Sequence, residues 1–155
     1  MNMSPRAALA DAAKALQTGN SSLACVFLDA ARANKNLQQE DIETLQTLCR
    51  QLADNPALIA FAEERAISQV KQAAKVMEVP GKLRPEEWML LVNNISGAYS
   101  TARTLTYIGH HSETRALDDA VAALKAFSHD FRARELRSAV KRARGRFHTP
   151  LPFAI

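Results

Sequence analysis

The sequence predicts an all-α protein, a helical bundle of about seven helices. Apolar residues recur at helical spacings of three and four along nearly all of its 155 residues. The five glycines and six prolines stand mostly between these segments, so few positions suit the tight turns of β-hairpins. Aromatic residues make up only 6%, and many apolar residues are alanines, which favour helix but bury little area. We therefore expect a core of closely approaching helices.

Four helices are predicted before residue 78. Ser4 is a suitable N-cap with Pro5 at the first helical position, and this helix should end at Gly19. The second follows the polar residues 20–22 and carries an apolar stripe of Leu23, Val26, Phe27, Ala30 and Ala31. A third spans about 39–53, and a fourth runs from about 56 to 77. The short connections between them predict antiparallel packing of successive helices.

The strongest break in the chain contains Pro80, Gly81 and Pro85. It divides the sequence into an N-terminal four-helix unit (1–77), a joint (78–84), a C-terminal three-helix unit (85–147) and an irregular tail (148–155). The two helical units should pack on each other, and the pattern is equally compatible with one packed domain.

The C-terminal unit is predicted to open with a long helix at Pro85. Glu86 and Glu87 lie near the positive end of its dipole, and its apolar stripe continues to Gly109. Trp88, in the first turn of this helix, should anchor the core. A second helix starts near residue 112, and a basic helix completes the unit at 147.

Composition excludes several classes of protein. No window holds the roughly 18 consecutive apolar residues of a membrane span, and Asp11 and Lys14 break the pattern of a signal peptide. Cys25 and Cys49 stand 24 positions apart without flanking metal ligands. We expect reduced, partly buried thiols in a cytoplasmic protein.

The sequence also predicts no enzyme, no cofactor and no metal site. It contains neither a glycine-rich phosphate loop nor paired histidines at zinc-binding spacing. Neither cysteine has the flanking sequence of a nucleophile, and Cys25 has apolar neighbours that suppress reactivity. The carboxylate pairs stand at helix starts or on polar faces, which leaves a helical hydrolase as a distant third hypothesis. Residues 72–79 are similar to the first half of a helix-turn-helix, but Met77 stands at its turn position and Pro80 interrupts the helix that follows.

The clearest functional signal is a segment of concentrated positive charge. Residues 129–147 hold seven basic and two acidic residues, a net charge of +5, whereas residues 1–128 hold 13 basic and 14 acidic residues. On a helix, one face of this segment forms a continuous basic ridge of Arg134, Arg137, Lys141 and Arg144. An apolar stripe on the opposite side suits docking on the rest of the protein. No aromatic residue on the ridge is available for base stacking.

Three interpretations of the ridge stay open: a solvated face, a contact for an acidic protein, and a contact for nucleic-acid phosphates. We favour a non-catalytic interaction protein, an adaptor, regulator or inhibitor. It would dock on an acidic protein surface or a nucleoprotein complex through its helical faces and the ridge. The alternative is a nucleic-acid-binding regulator that uses the same ridge for phosphates. Neither hypothesis involves a membrane, and both are compatible with a homo-oligomer.

Overall fold

The computed structural model describes residues 4–78 and 84–110, and every element in these two ranges is an α-helix. The helices are α1 (Pro5–Gln17), α2 (Ser21–Arg32), α3 (Gln39–Ala53), α4 (Pro56–Glu78) and α5 (Pro85–Tyr107). No strand occurs in the described ranges, which confirms the all-α prediction there. The count of about seven stays a prediction, because the helices expected after residue 111 fall outside the described residues.

Local capping explains where the first helices begin and end. The Ser4 hydroxyl accepts a hydrogen bond from the Ala7 backbone N–H at 3.2 Å, and the Asn20 side chain accepts one from the Leu23 N–H at 3.2 Å. Each satisfies a donor that the first turn of a helix leaves free. Between them Gly19 adopts a φ of +79°, a left-handed conformation that glycine allows without a steric penalty.

Helix α5 begins with a cap formed by the side chain of Glu87 in its first turn. The Glu87 carboxylate accepts hydrogen bonds from the Arg84 backbone N–H and from its guanidinium, both at 3.1 Å. These two bonds lower the pKa of the Glu87 carboxyl, the backbone bond having the larger effect. The acidic first turn predicted for this helix is confirmed, and the helix ends before Gly109 as expected.

Helix α2 is the central element of the described structure, because it packs against each of the other four helices. Its buried residues lie within one half of the helix circumference and include polar and charged side chains: Ser21, Ser22, Ala24, Cys25, Leu28, Asp29, Ala31 and Arg32. The apolar stripe predicted for α2 is wrong in two positions, since Leu23 and Ala30 are exposed. Because this buried half includes Asp29 and Arg32, apolar periodicity alone could not orient the helix.

The core joins residues of all five helices. Its buried members are Ala8, Leu9, Ala12, Cys25, Leu28, Ala31, Leu45, Leu48, Cys49, Leu52, Ala62, Leu105 and Ile108. The last two belong to the C-terminal half, so α5 completes a core that α1–α4 begin. The division into units at residues 77 and 85 remains a prediction, because the rest of the C-terminal unit lies outside the described residues.

Helices α4 and α5 form an antiparallel pair. Glu63, in the first half of α4, contacts His110 just after α5, whereas Gln72 and Lys75 face the first half of α5.

Because α4 remains helical to Glu78, the turn that a helix-turn-helix requires at Met77 is not present. This finding rules out the helix-turn-helix interpretation, because residues 72–78 form the end of α4.

Candidate interaction site

The residues predicted to contact a partner lie beyond the described part of the chain. Arg134, Arg137, Lys141 and Arg144 all follow residue 110, so the basic ridge stays a prediction. Trp88 belongs to α5, but its side chain is outside the described residues as well.

One surface groove opens between the second half of α4 and the first half of α5. Its volume is about 400 Å³, and it is lined by Gln72, Lys75, Glu87, Leu90, Leu91 and Asn94. Leu91 forms a buried part of the lining, while Leu90 is 62% exposed, more than any other large apolar residue described. Amide and charged groups border this apolar surface. The arrangement suits an apolar side chain flanked by polar backbone or carboxylate groups.

A second cluster of functional groups is buried between α2 and α5. The Asp29 carboxylate accepts hydrogen bonds from two nitrogens of Arg103, with Nε–Oδ1 at 3.0 Å and Nη2–Oδ2 at 2.5 Å. Arg32 donates to the same Oδ1 at 3.0 Å. Asp29 is 3% exposed and Arg103 only 1%, so these charges interact almost without water. Such two-point contacts between a guanidinium and a carboxylate are among the stronger hydrogen-bonded pairs in proteins.

Further contacts surround this ion pair. The guanidinium of Arg32 lies over the ring of Tyr107 at 4.4 Å from the ring centre, within the range of a cation–π interaction. The hydroxyl of Thr104 donates to the Cys25 carbonyl at 2.8 Å. A partly buried hydrogen bond also joins Arg103 to the Ser100 hydroxyl at 3.1 Å. The interface between α2 and α5 therefore contains several polar contacts although it is enclosed.

Sequence reasoning missed this cluster because it treated charges as surface groups. A signal was present: Arg103 is the only basic residue of α5 and stands among apolar positions of its stripe. Likewise Asp29 is the only acid of α2. An isolated charge on an apolar face indicates either an exposed edge or a buried partner, and a sequence alone does not distinguish them.

Both cysteines are buried and free. Burial raises the pKa of the Cys25 thiol far above its usual range, with smaller contributions from the nearby Cys49 and Asp29. Burial also raises the pKa of Cys49, to about 12. Since the thiolate is the nucleophile, neither group is activated for covalent catalysis. The predicted suppression of reactivity agrees with this environment.

The cysteines should make the fold sensitive to alkaline pH. In the unfolded chain each thiol ionises near pH 8.5, whereas the folded protein holds it neutral to a much higher pH. The thiols therefore leave the free energy of unfolding unchanged below about pH 8.5. Above that pH they ionise only in the unfolded chain, which lowers the free energy of unfolding by about 1.4 kcal/mol per thiol for each further pH unit. We expect urea midpoints to decline from pH 8 to 9.5. A Cys25→Ala/Cys49→Ala variant should decline clearly less, and an equal decline in both proteins would contradict the assignment.

His110 and Glu63 form a partly exposed pair at the end of the α4–α5 hairpin. Their closest atoms, Nε2 and Oε2, are 2.6 Å apart. No Ser, Thr or Cys nucleophile is hydrogen-bonded to this histidine among the described residues. In the same ranges no three His, Cys, Asp or Glu side chains group as metal ligands. The pair is best explained as a contact that ties α5 to α4.

The five described helices include none with the length and hydropathy needed to cross a membrane. Comparison of the chain with known protein families, curated proteins and solved structures finds no match.

Proposed function

We propose that this chain is a non-catalytic α-helical interaction protein, an adaptor, regulator or inhibitor of a macromolecular partner. The observation that carries the proposal is the charge distribution: residues 129–147 hold a net charge of +5 and the preceding 128 residues a net charge of −1. Clustered charges of one sign produce a strong local potential that attracts an oppositely charged surface. The partner we favour is an acidic protein surface, free or within a nucleoprotein complex.

The groove between α4 and α5 supports the same proposal. Leu90 and Leu91 provide an apolar surface, and Leu90, at 62% exposed, is accessible to a partner. Protein interfaces commonly combine a small apolar centre with a charged rim that speeds association. In this proposal the groove would receive an apolar side chain of the acidic partner, and the basic ridge would contact acidic groups of that partner.

The chemistry of the described residues supports a binding role over catalysis. The two thiols are buried with raised pKa values, and the buried carboxylate of Asp29 is fully engaged by arginines. These groups hold the structure together and present no reactive atom to a substrate.

A nucleic-acid-binding regulator is the second candidate, favoured by the same four ridge residues. Phosphates would replace the carboxylates of a protein partner, and the contact would be strongly salt-dependent. Both candidates imply a cytoplasmic protein without a bound cofactor, and both are compatible with self-association.

Reversing two ridge charges tests the proposal. We expect Arg137→Glu/Lys141→Glu to weaken partner binding at least tenfold and to leave the melting temperature unchanged, because exposed ion pairs contribute only about 0–1 kcal/mol. The matched control is Lys35→Glu/Lys71→Glu, which makes the same change in net charge at two exposed residues elsewhere. Binding is measured on the tagged full-length chain recovered from cells, with and without nuclease treatment.

Three results distinguish the hypotheses. A partner that survives nuclease and is lost only in the ridge variant supports docking on an acidic protein. A nuclease-sensitive partner, with affinity for duplex DNA falling steeply with salt, supports the regulator instead. Equal binding by the ridge variant and the wild type would show that the ridge is a solvated face. A Leu90→Asp variant then tests the groove separately.

A further inference from the structure

One face of α4 is exposed along most of the helix. It carries Phe61, Glu64, Ser68, Lys71 and Lys75, of which Ser68 is half-buried and the other four are exposed. Their spacings alternate between three and four residues, so all five lie on the same side of the helix. Phe61, at 46% exposed, is one of three exposed large apolar residues in the described ranges. This outer face of α4 therefore combines an apolar residue with charges of both signs.

Opposite charges stand on opposite sides of Ser68 along the outer face. Glu64 precedes Ser68 by four residues, and Lys71 follows it by three. A second α4 that runs antiparallel, with the two Ser68 residues facing each other, would place Glu64 of each copy opposite Lys71 of the other. The two positions match to within one residue, a rise of about 1.5 Å. A parallel pair would instead place like charges opposite each other, so the charges favour the antiparallel arrangement.

Glu64 and Lys71 are available for such contacts. Neither forms an ion pair with another described residue. Because they are seven residues apart, nearly two helical turns, they lie on the same edge of the outer face but about 10 Å apart along it. That distance is too great for an ion pair within one helix, whereas an antiparallel second copy brings the two edges together.

The other residues of the outer face suit close contact between two copies. Packed helices lie about 8–10 Å apart, and the small side chain of Ser68 permits this approach at the centre. Phe61 and Lys75 are each seven residues from Ser68, in opposite directions, so they would meet across the pair. The alkyl chain of Lys75 offers apolar surface to the Phe61 ring, and its ammonium can lie over the ring face. Phe61 would also reach the edge of the groove, which Lys75 lines together with Leu90.

We infer that the outer face of α4 is a self-association surface, through which two copies of the chain pair antiparallel about a twofold axis at Ser68. In such an interface every contact occurs twice, which doubles the effect of each Glu64–Lys71 pair. Exposed ion pairs are individually weak and are screened by salt, so we expect a weak dimer that dissociates as salt is raised. The inference does not depend on the basic ridge. A partner that binds in the groove would compete with the dimer for Lys75.

Exchange of the two charges tests the inference on the purified full-length chain. Sedimentation equilibrium at low ionic strength should show a reversible dimer of the wild type. We expect Glu64→Lys and Lys71→Glu each to raise the dimer dissociation constant at least about tenfold, because each places like charges opposite one another. The double variant Glu64→Lys/Lys71→Glu restores both ion pairs with reversed polarity and should return the constant to within about threefold of the wild type.

The matched controls are Glu43→Lys and Lys35→Glu, which make the same substitutions at exposed residues outside α4. Both should dimerise like the wild type, and all variants should keep the wild-type melting temperature. The Lys35→Glu/Lys71→Glu variant should lose the dimer and still bind the proposed partner at least as well as the wild type, so that the two interactions are separable.

Three results would overturn the inference. One is a wild-type chain that stays monomeric at the highest concentration at which it remains in solution. Another is a dimer whose dissociation constant is the same in the wild type and in Glu64→Lys, since the contact would then lie on another surface. The third is a double variant that dimerises as weakly as the two single variants, because the exchanged charges would then not face each other.

Discussion

Replacing Asp29 by asparagine is expected to destabilise the protein by about 3–5 kcal/mol. The substitution keeps the size of the side chain but removes the negative charge that faces Arg32 and Arg103. Both guanidiniums stay buried, and the loss of the compensating carboxylate is costly where water cannot replace it. Urea denaturation at neutral pH measures the change as a lower midpoint with a similar slope.

The matched control for this prediction is Glu40→Gln. Glu40 forms an ion pair with Arg6 at 2.9 Å, but the two side chains are about three-quarters exposed. Its loss should cost about 0–1 kcal/mol, because water solvates the remaining arginine. If the two variants were equally stable, Asp29 would not compensate buried charge as the structure indicates.

Truncating Leu28 to alanine should cost about 2–5 kcal/mol. Leu28 is 1% exposed on the central helix, where it joins the core shared by all five helices. Removing its side chain loses transfer free energy and leaves a cavity that neighbouring helices fill only in part. The midpoint of urea denaturation at neutral pH measures this change as well.

Leu23→Ala in the same helix is the appropriate comparison for this truncation. Leu23 is 43% exposed, so the identical chemical change should cost no more than about 1 kcal/mol. Since the two variants share the intrinsic preference of leucine and alanine for helix, their difference reports burial. The sequence-based assignment would reverse this order, because it placed Leu23 on the apolar stripe of α2.

The five described helices were predictable to within a residue or two. Caps at Ser4 and Asn20, together with the breaks at Pro56 and Pro85, are local signals that act through the backbone of their own helix. Local chemistry of this kind does not depend on what a helix packs against.

The packing of α2 was not predictable in the same way. Its buried face includes Asp29 and Arg32, and the partner of Asp29 stands 74 residues away in α5. A charge whose partner lies so far away in the sequence leaves no periodic pattern near it. The candidate site was predicted only as a set of basic residues, and the groove was missed because it forms between the surfaces of two helices.

The 74-residue separation between Asp29 and Arg103 in the sequence has a consequence during protein synthesis. Chains elongate at about 5–20 residues per second, so Arg103 is added roughly 4–15 s after Asp29. Throughout this interval Asp29 has only Arg32 of its own helix as an ionic partner, and the core lacks the residues that α5 contributes. A ribosome-bound chain that stops before α5 should accordingly remain sensitive to protease and accessible to chaperones, and it should become resistant only once α5 has emerged.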